Sequence, residues 1–166
     1  MILGLSIATF TTLHVIISLI AIVSGVYVVI AMVGGSKPAG WTALFLLTTV
    51  VTSVTGFLFP ITHFTPAVGT GIVSLIVLAF ALAALYAKHL SGVWRWIYVV
   101  TAIAALYFNV LVLIVQAFLK VPFLHPLAPN GNEPPFLIAQ TLALVVFVAL
   151  GIAAVIRFHP AASRSV

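Results

Sequence analysis

Four side chains in this sequence place hydrogen-bonding chemistry inside long hydrophobic runs. They are His14, Asn109, Gln116 and Gln140. An imidazole or an amide in hydrocarbon is costly unless it has a partner, which is either a neighbouring helix or a ligand. Asn109 and Gln116 are seven residues apart, so both lie on one face of a helix. The four residues therefore predict a polar spot facing the inside of an apolar helical bundle.

Several ligand chemistries suit such a spot. A quinone-like headgroup requires one or two hydrogen-bond partners in an apolar slot. A haem held by two histidines requires two embedded imidazoles at one level, so His63 would have to dip inward beside His14. A metal ion usually takes three or four His, Asp or Glu ligands, for which His14 and His63 are weak candidates. The polar residues that would bind a ligand are His14, Asn109, Gln116, Gln140, Thr52 and Thr55.

The alternative interpretation is that these side chains bind no ligand and only hold the helices together. Polar residues in membrane helices commonly hydrogen-bond across helix pairs. A threonine hydroxyl can also bond to its own helix backbone. The residue types alone do not decide between a ligand site and interhelical contacts.

The composition excludes several classes of protein. The chain is 64% hydrophobic and 4% charged with a mean hydropathy of +1.41, whereas a soluble domain has roughly 25% charged residues. It contains no cysteine, which excludes thiolate catalysis, disulfide exchange and cysteine-ligated iron–sulfur clusters. Its six basic residues are scattered over the loops, so a nucleic-acid partner is not expected. The lipid bilayer is the expected environment.

Five apolar runs are each long enough for a membrane span. We therefore expect an all-α, polytopic membrane protein in which residues 1–166 form a single transmembrane helical bundle. The first run lacks a basic start and is too long for a signal peptide, which predicts a retained helix. The expected helices cover about residues 5–33, 41–59, 69–88, 94–120 and 136–158.

The basic residues predict the orientation of the bundle. Five spans place five of the six on one side and leave only Lys120 on the other. Lys and Arg accumulate on the cytoplasmic side of membrane proteins, so the N-terminus is expected outside and the C-terminus inside. The five residues on the predicted cytoplasmic side are Lys37, Lys88, Arg95, Arg157 and Arg164.

This orientation places the embedded polar groups at or above the midplane, in the outer half. His14 would be the principal hydrogen-bonding group, with Gln116 and Gln140 beside it and Asn109 at the floor. The proline-rich link 121–135 would cover the site as a lid, through Lys120, His125 and Glu133. The inner half contains no embedded His, Asn, Gln or charge, so we expect no conduction by one chain.

Four segments resemble small, uncharacterised bacterial inner-membrane proteins. They are LHVIISLIAIVSG, LTTVVTSVTGFLFPITH, YFNVLVLIVQAFLKVP and NEPPFLIAQ. The resemblance covers most of the chain and implies an all-helical, multi-pass protein of the bacterial inner membrane. It implies no activity, and it assigns no catalytic residue.

These observations leave three functions open, and they do not decide whether the protein is an enzyme. The first is binding of a quinone-like or other amphiphilic ligand, or of haem b, in a periplasm-facing pocket, with redox work as one use. The second is a non-catalytic accessory or assembly subunit of a membrane complex. The third is a channel or transporter formed by a homo-oligomer.

A reporter fused to the C-terminus tests the predicted orientation. A reporter that is active only in the periplasm should be inactive there, because the excess of basic residues keeps that end in the cytoplasm. Activity of the fused reporter would show that the predicted topology is wrong.

Overall fold

The computed structural model describes residues 1–60 and 64–159. This part of the chain is all-helical, and its five long helices are each apolar enough to cross a membrane. The protein is therefore a multi-pass membrane protein. Of the residues discussed above, His63 and Arg164 lie outside the described residues. The helices are α1 (Ile7–Val33), α2 (Ala39–Gly56), α3 (Pro66–Leu82), α4 (Val93–Lys120) and α5 (Pro134–Arg157).

Two shorter helical segments complete the described chain. The first is a π-helical turn, Ala83–Ala87, which continues α3, and the second is a 3-10 turn, His125–Leu127, in the link between α4 and α5. After the π-helical turn, His89 and Leu90 have positive φ angles of 48° and 58°. These left-handed residues reverse the chain towards α4.

Prolines begin two of the helices earlier than the sequence predicted. α3 starts at Pro66 instead of residue 69, and α5 starts at Pro134 instead of residue 136. A proline at the first helical position sacrifices no hydrogen bond, because that N–H has no partner within the helix. Thr65 caps α3 by accepting a bond from the Val68 amide at 3.3 Å. The prolines that were expected to interrupt helices therefore lie at the first positions of α3 and α5.

The apolar core lies in the half of the bundle that contains the end of α1 and the start of α2. α1 packs on α2, α3 on α4 and α4 on α5. Gly25 marks the tightest point, since a Cβ there would lie 2.7 Å from Leu106 and 2.8 Å from Phe45. The helices α1, α2 and α4 therefore approach one another most closely at Gly25, where α1 has no side chain. The largest fully buried side chains are Tyr98, Phe45, Phe158, Met32, Leu46, Leu78, Leu106, Val28, Val29 and Val99, with Thr42 and Thr49.

α5 lies at the edge of the bundle. Ala154 is the only buried residue of this helix. The helix packs on α4 and α1. Arg95 holds its C-terminal end, because Nη1 donates to the carbonyl of Val155 at 3.0 Å and to that of Phe158 at 2.7 Å. Carbonyls at the end of a helix have no partner within it, so the guanidinium satisfies groups that hydrocarbon would leave bare.

Replacing Gly25 by alanine should destabilise the bundle. The new Cβ would overlap the side chains of Leu106 and Phe45, which are both buried and would have to shift against their packed neighbours. Overpacking of this kind typically costs about 1–3 kcal/mol. The measurement is the free energy of unfolding in mixed micelles on titration with a denaturing detergent.

Gly40→Ala is the matched control, because a Cβ at Gly40 would meet nothing within 4 Å. It should leave the free energy of unfolding unchanged or slightly raised. Equal stability of the two variants would contradict the close approach at Gly25.

Candidate functional site

A layer of interhelical hydrogen bonds links all five helices. We call its members the polar layer, and α2 takes part in four of its five bonds. The layer lies in the half of the bundle opposite the apolar core. The pairs are His14 with Thr55 (2.8 Å), Ser18 with Thr52 (3.4 Å), Ser53 with Ser74 (3.2 Å), Asn109 with Thr49 (3.3 Å) and Gln140 with the Leu111 carbonyl (3.2 Å).

The contact between His14 and Thr55 favours one tautomer of the imidazole. The Thr55 hydroxyl lies 2.7 Å from the carbonyl of Val51, which can only accept a hydrogen bond, so this contact favours a hydroxyl that donates to Val51. In that arrangement Thr55 Oγ1 accepts a hydrogen bond from Nδ1–H of His14. In a neutral imidazole the other ring nitrogen then carries the lone pair. Within the described residues, Nε2 of His14 has no partner.

Phe59 packs on the imidazole and is itself packed against Phe10. The Phe59 ring stands edge-on to His14, with centroids 5.3 Å apart and an angle of 86°. Phe10 packs on Phe59 in turn at 5.1 Å. Gly56 lies near Cε1, the atom next to Nε2, because a Cβ at Gly56 would be 3.9 Å from it. The ring is thus oriented by Thr55 and Phe59, and it stays partly exposed.

Gln116 is exposed, contrary to the inward position that its spacing from Asn109 predicted. Asn109 bonds to Thr49, and α2 and α4 run in the same direction. Seven residues further along each helix, Gln116 is level with Gly56, the last residue of α2. The face of α4 that carries Asn109 and Gln116 is therefore covered by α2 at Asn109, but it has reached the end of α2 at Gln116. That level is also the level of His14 and Thr55.

Asn109 and Gln140 are each bonded to a neighbouring helix. The amide nitrogen of Asn109 donates to Thr49, and that of Gln140 donates to the Leu111 carbonyl. Oε1 of Gln140 is buried and has no hydrogen-bond partner in the described part of the chain. These two amides therefore act first as contacts between helices.

Sequence reasoning missed Thr49 and Ser53, which form the face of α2 towards α4 and α3. Both are buried, as is Thr42, and the spacing of seven and four residues from Thr42 through Thr49 to Ser53 is the signal that could have found them. Thr52 and Thr55 instead face α1. α2 thus presents two polar faces, and each one serves different neighbours.

In the structure the link is shorter than predicted, residues 121–133, because α5 begins at Pro134, and the link folds back on α4. The His125 ring lies 3.3 Å from the Phe118 carbonyl, and Phe118 packs edge-on against Phe136 at 5.5 Å. Lys120 is exposed at the end of α4. Glu133 is bonded within its own loop, where it accepts bonds from the amide (3.0 Å) and side chain (2.7 Å) of Asn130 and from the Asn132 amide (3.1 Å). The lid over His14 remains a prediction.

The described residues contain no group of three or more His, Cys, Asp or Glu side chains that could hold a metal ion. Two shallow grooves of about 400 Å³ and 250 Å³ are present on the surface. The first lies between α3 and α4 at Trp96, and the second lies on α5 at Leu142. Neither is lined by a member of the polar layer.

No protein-family model, no curated protein and no solved structure matches the chain. The resemblance to bacterial inner-membrane proteins and the location in that membrane therefore rest on the sequence alone. Any assignment of function has to come from the chemistry of the residues described above.

The carboxylate of Glu133 should order its loop in a pH-dependent way. Its slight desolvation would raise the pKa, but the bonds from Asn130 and Asn132 outweigh this effect and hold the pKa below the ordinary value. A lowered pKa in the folded state means that the ordering is complete above the ordinary carboxyl pKa of about 4.3 and is lost as the pH falls through the folded value. Hydrogen exchange at the amides of Asn130 and Asn132, relative to the intrinsic rates, measures it.

Glu133→Gln keeps one acceptor oxygen and removes the charge. In this variant the two amides should exchange faster at neutral pH, and their protection should no longer change with acidification. Protection in the unaltered protein that persists well below the folded pKa would refute the role of the carboxylate.

Proposed function

We propose that this integral membrane protein binds an amphiphile whose headgroup carries a hydroxyl, such as the reduced form of a quinone, with His14 as the principal partner. The observation that carries the proposal is the oriented imidazole, which directs a lone pair on Nε2 away from its bond with Thr55. The proposal concerns binding and assigns no catalytic step.

The direction of the hydrogen bond selects the headgroup. In this tautomer Nε2 accepts a hydrogen bond and cannot donate one, so it suits a hydroxyl and not the carbonyl of an oxidised quinone. An acceptor that faces hydrocarbon without a partner is unfavourable, so a donor at this position would be stabilising. One such bond contributes about 0.5–1.5 kcal/mol net, and most of the affinity would come from apolar contact.

The surroundings of His14 support an amphiphile in the outer rim of the bundle. Phe10 and Phe59 supply apolar surface beside the imidazole. The exposed amide of Gln116 lies at the same level and offers a second donor and acceptor. His14 is seven residues into α1, or about 10 Å from its start, which is a depth that a headgroup in the leaflet reaches.

Haem b is the second candidate ligand, and it has to be distinguished from a quinol. A lone pair on Nε2 also suits haem iron. The other axial ligand would have to be His63, which lies outside the described residues. A Soret band in the absorption spectrum of the purified protein would show that the ligand is haem and not a quinol.

A non-catalytic accessory subunit is favoured by a different observation. α5 has one buried residue and exposes large apolar side chains along its length, including Leu142, Val145 and Ile156. Such a face is compatible with a membrane partner as well as with lipid. Co-purification of a stoichiometric membrane protein, lost on substitution of these residues, would favour that function.

His14→Asn tests the proposal. The asparagine amide reaches the position of Nδ1 and can still donate to Thr55, but it supplies no acceptor at the position of Nε2. Binding of a short-chain quinol, kept reduced and measured by calorimetry in detergent, should weaken about 2- to 12-fold. The thermal unfolding midpoint should change little, because the interhelical bond is retained.

Two comparisons complete this experiment. The dimethyl ether of the same quinol has no hydroxyl hydrogen, so it should bind the unaltered protein as weakly as the quinol binds the His14→Asn variant. Gln116→Leu should weaken quinol binding without lowering stability, because this side chain is exposed. The proposal fails if the ether binds as tightly as the quinol, or if His14→Asn lowers stability and leaves the affinity unchanged.

A further inference from the structure

We infer that the groove between α3 and α4 holds one acyl chain of an anionic phospholipid, whose phosphate lies at Arg95. The groove has a volume of about 400 Å³, and its lining is apolar. It lies at the opposite end of the bundle from His14 and does not depend on the proposed function. Its lining residues are Phe80, Trp96, Ile97, Val100 and Thr101.

The groove runs from the end of the bundle towards its middle. Trp96 is three residues into α4 and Thr101 is eight, so the lining spans depths of about 4–12 Å from the start of the helix. Tryptophan is typical of the level of the lipid headgroups. The Thr101 hydroxyl donates to the Ile97 carbonyl at 2.6 Å, which leaves the deeper part apolar. An amphiphile with its polar end at Trp96 matches this gradient.

Arg95 places a fixed positive charge beside Trp96, one of the residues that line the groove. Its guanidinium carbon lies 5.6 Å from the centre of the Trp96 ring, which itself lines the groove. Nη1 is held by the carbonyls of Val155 and Phe158. Within the described residues Nη2 and Nε have no hydrogen-bond partner, and a guanidinium presents such donors to a phosphate in a planar fork.

The charge around the groove selects an anionic headgroup. Lys37, Lys88 and Arg157 lie at the same end of the bundle as Arg95. The only acidic residue of the chain, Glu133, lies at the other end, just before α5. A zwitterionic lipid would place a cation among these cations, whereas an anionic lipid would add only a negative charge. The complementarity therefore favours phosphatidylglycerol over phosphatidylcholine.

Native mass spectrometry of the detergent-solubilised protein, titrated with each of these two lipids, tests the inference. The unaltered protein should bind phosphatidylglycerol about fivefold more tightly per basic residue engaged, since each contributes ~1 kcal/mol. Arg95→Gln keeps a donor for the α5 carbonyls and removes the charge, so it should abolish most of this preference. Lys37→Gln removes a charge from the same end on the loop between α1 and α2, neither of which lines the groove, so it should change the preference much less.

Val100→Trp separates the groove from general attraction to the basic end. It fills the groove and should lower the affinity for phosphatidylglycerol at least fivefold, while Val145→Trp on the exposed face of α5 should leave it unchanged. Circular dichroism and unfolding in detergent show whether each variant is folded, and only folded variants enter the comparison. The inference is wrong if both lipids bind equally, if Arg95→Gln and Lys37→Gln act alike, or if Val100→Trp binds normally.

Discussion

A polar side chain without a partner in hydrocarbon costs free energy, and four of the five interhelical bonds of the polar layer that avoid this cost involve α2. Thr55 and Thr52 of α2 face α1, whereas Thr49 and Ser53 face α4 and α3. A helix with two polar faces has to lie between partners on both sides. α2 therefore shares hydrogen bonds with α1, α3 and α4, whereas α4 is the helix that packs on all four others.

The two halves of the bundle are held by different forces. At the basic end, glycine and alanine let the helices approach closely, as at Gly25, Ala102 and Ala105, and large side chains fill the remaining space. In the other half, hydrogen bonds link helices that bury fewer large side chains. Close packing of this kind is the main force between membrane helices, and each polar bond adds a smaller share, averaging ~0.6 kcal/mol. The polar half is therefore the half where a ligand would disturb the least packing.

Much of the architecture could be predicted from the sequence, because hydrophobic runs and the rise of a helix fix the number and depth of the spans. The level shared by His14, Thr55 and Gln116 follows from the same arithmetic. The choice of partner could not be predicted. The sequence shows neighbouring threonines on α2, and only the packed helices show that Thr49 meets Asn109 while Thr55 meets His14. The tautomer of His14 depends on a distance between Thr55 and a carbonyl, which no pattern of residues contains.

The position of α5 at the edge has a consequence for how the protein is made. Synthesis proceeds from the N-terminus, so residues 134–157 are the last of the five helices to reach the membrane. By then every bond of the polar layer except that of Gln140 has both partners present. The first four helices can thus pack together before the fifth is inserted, and α5 then joins their surface through Gln140 at one end and Arg95 at the other. Assembly of these five helices would then proceed as four helices followed by a fifth.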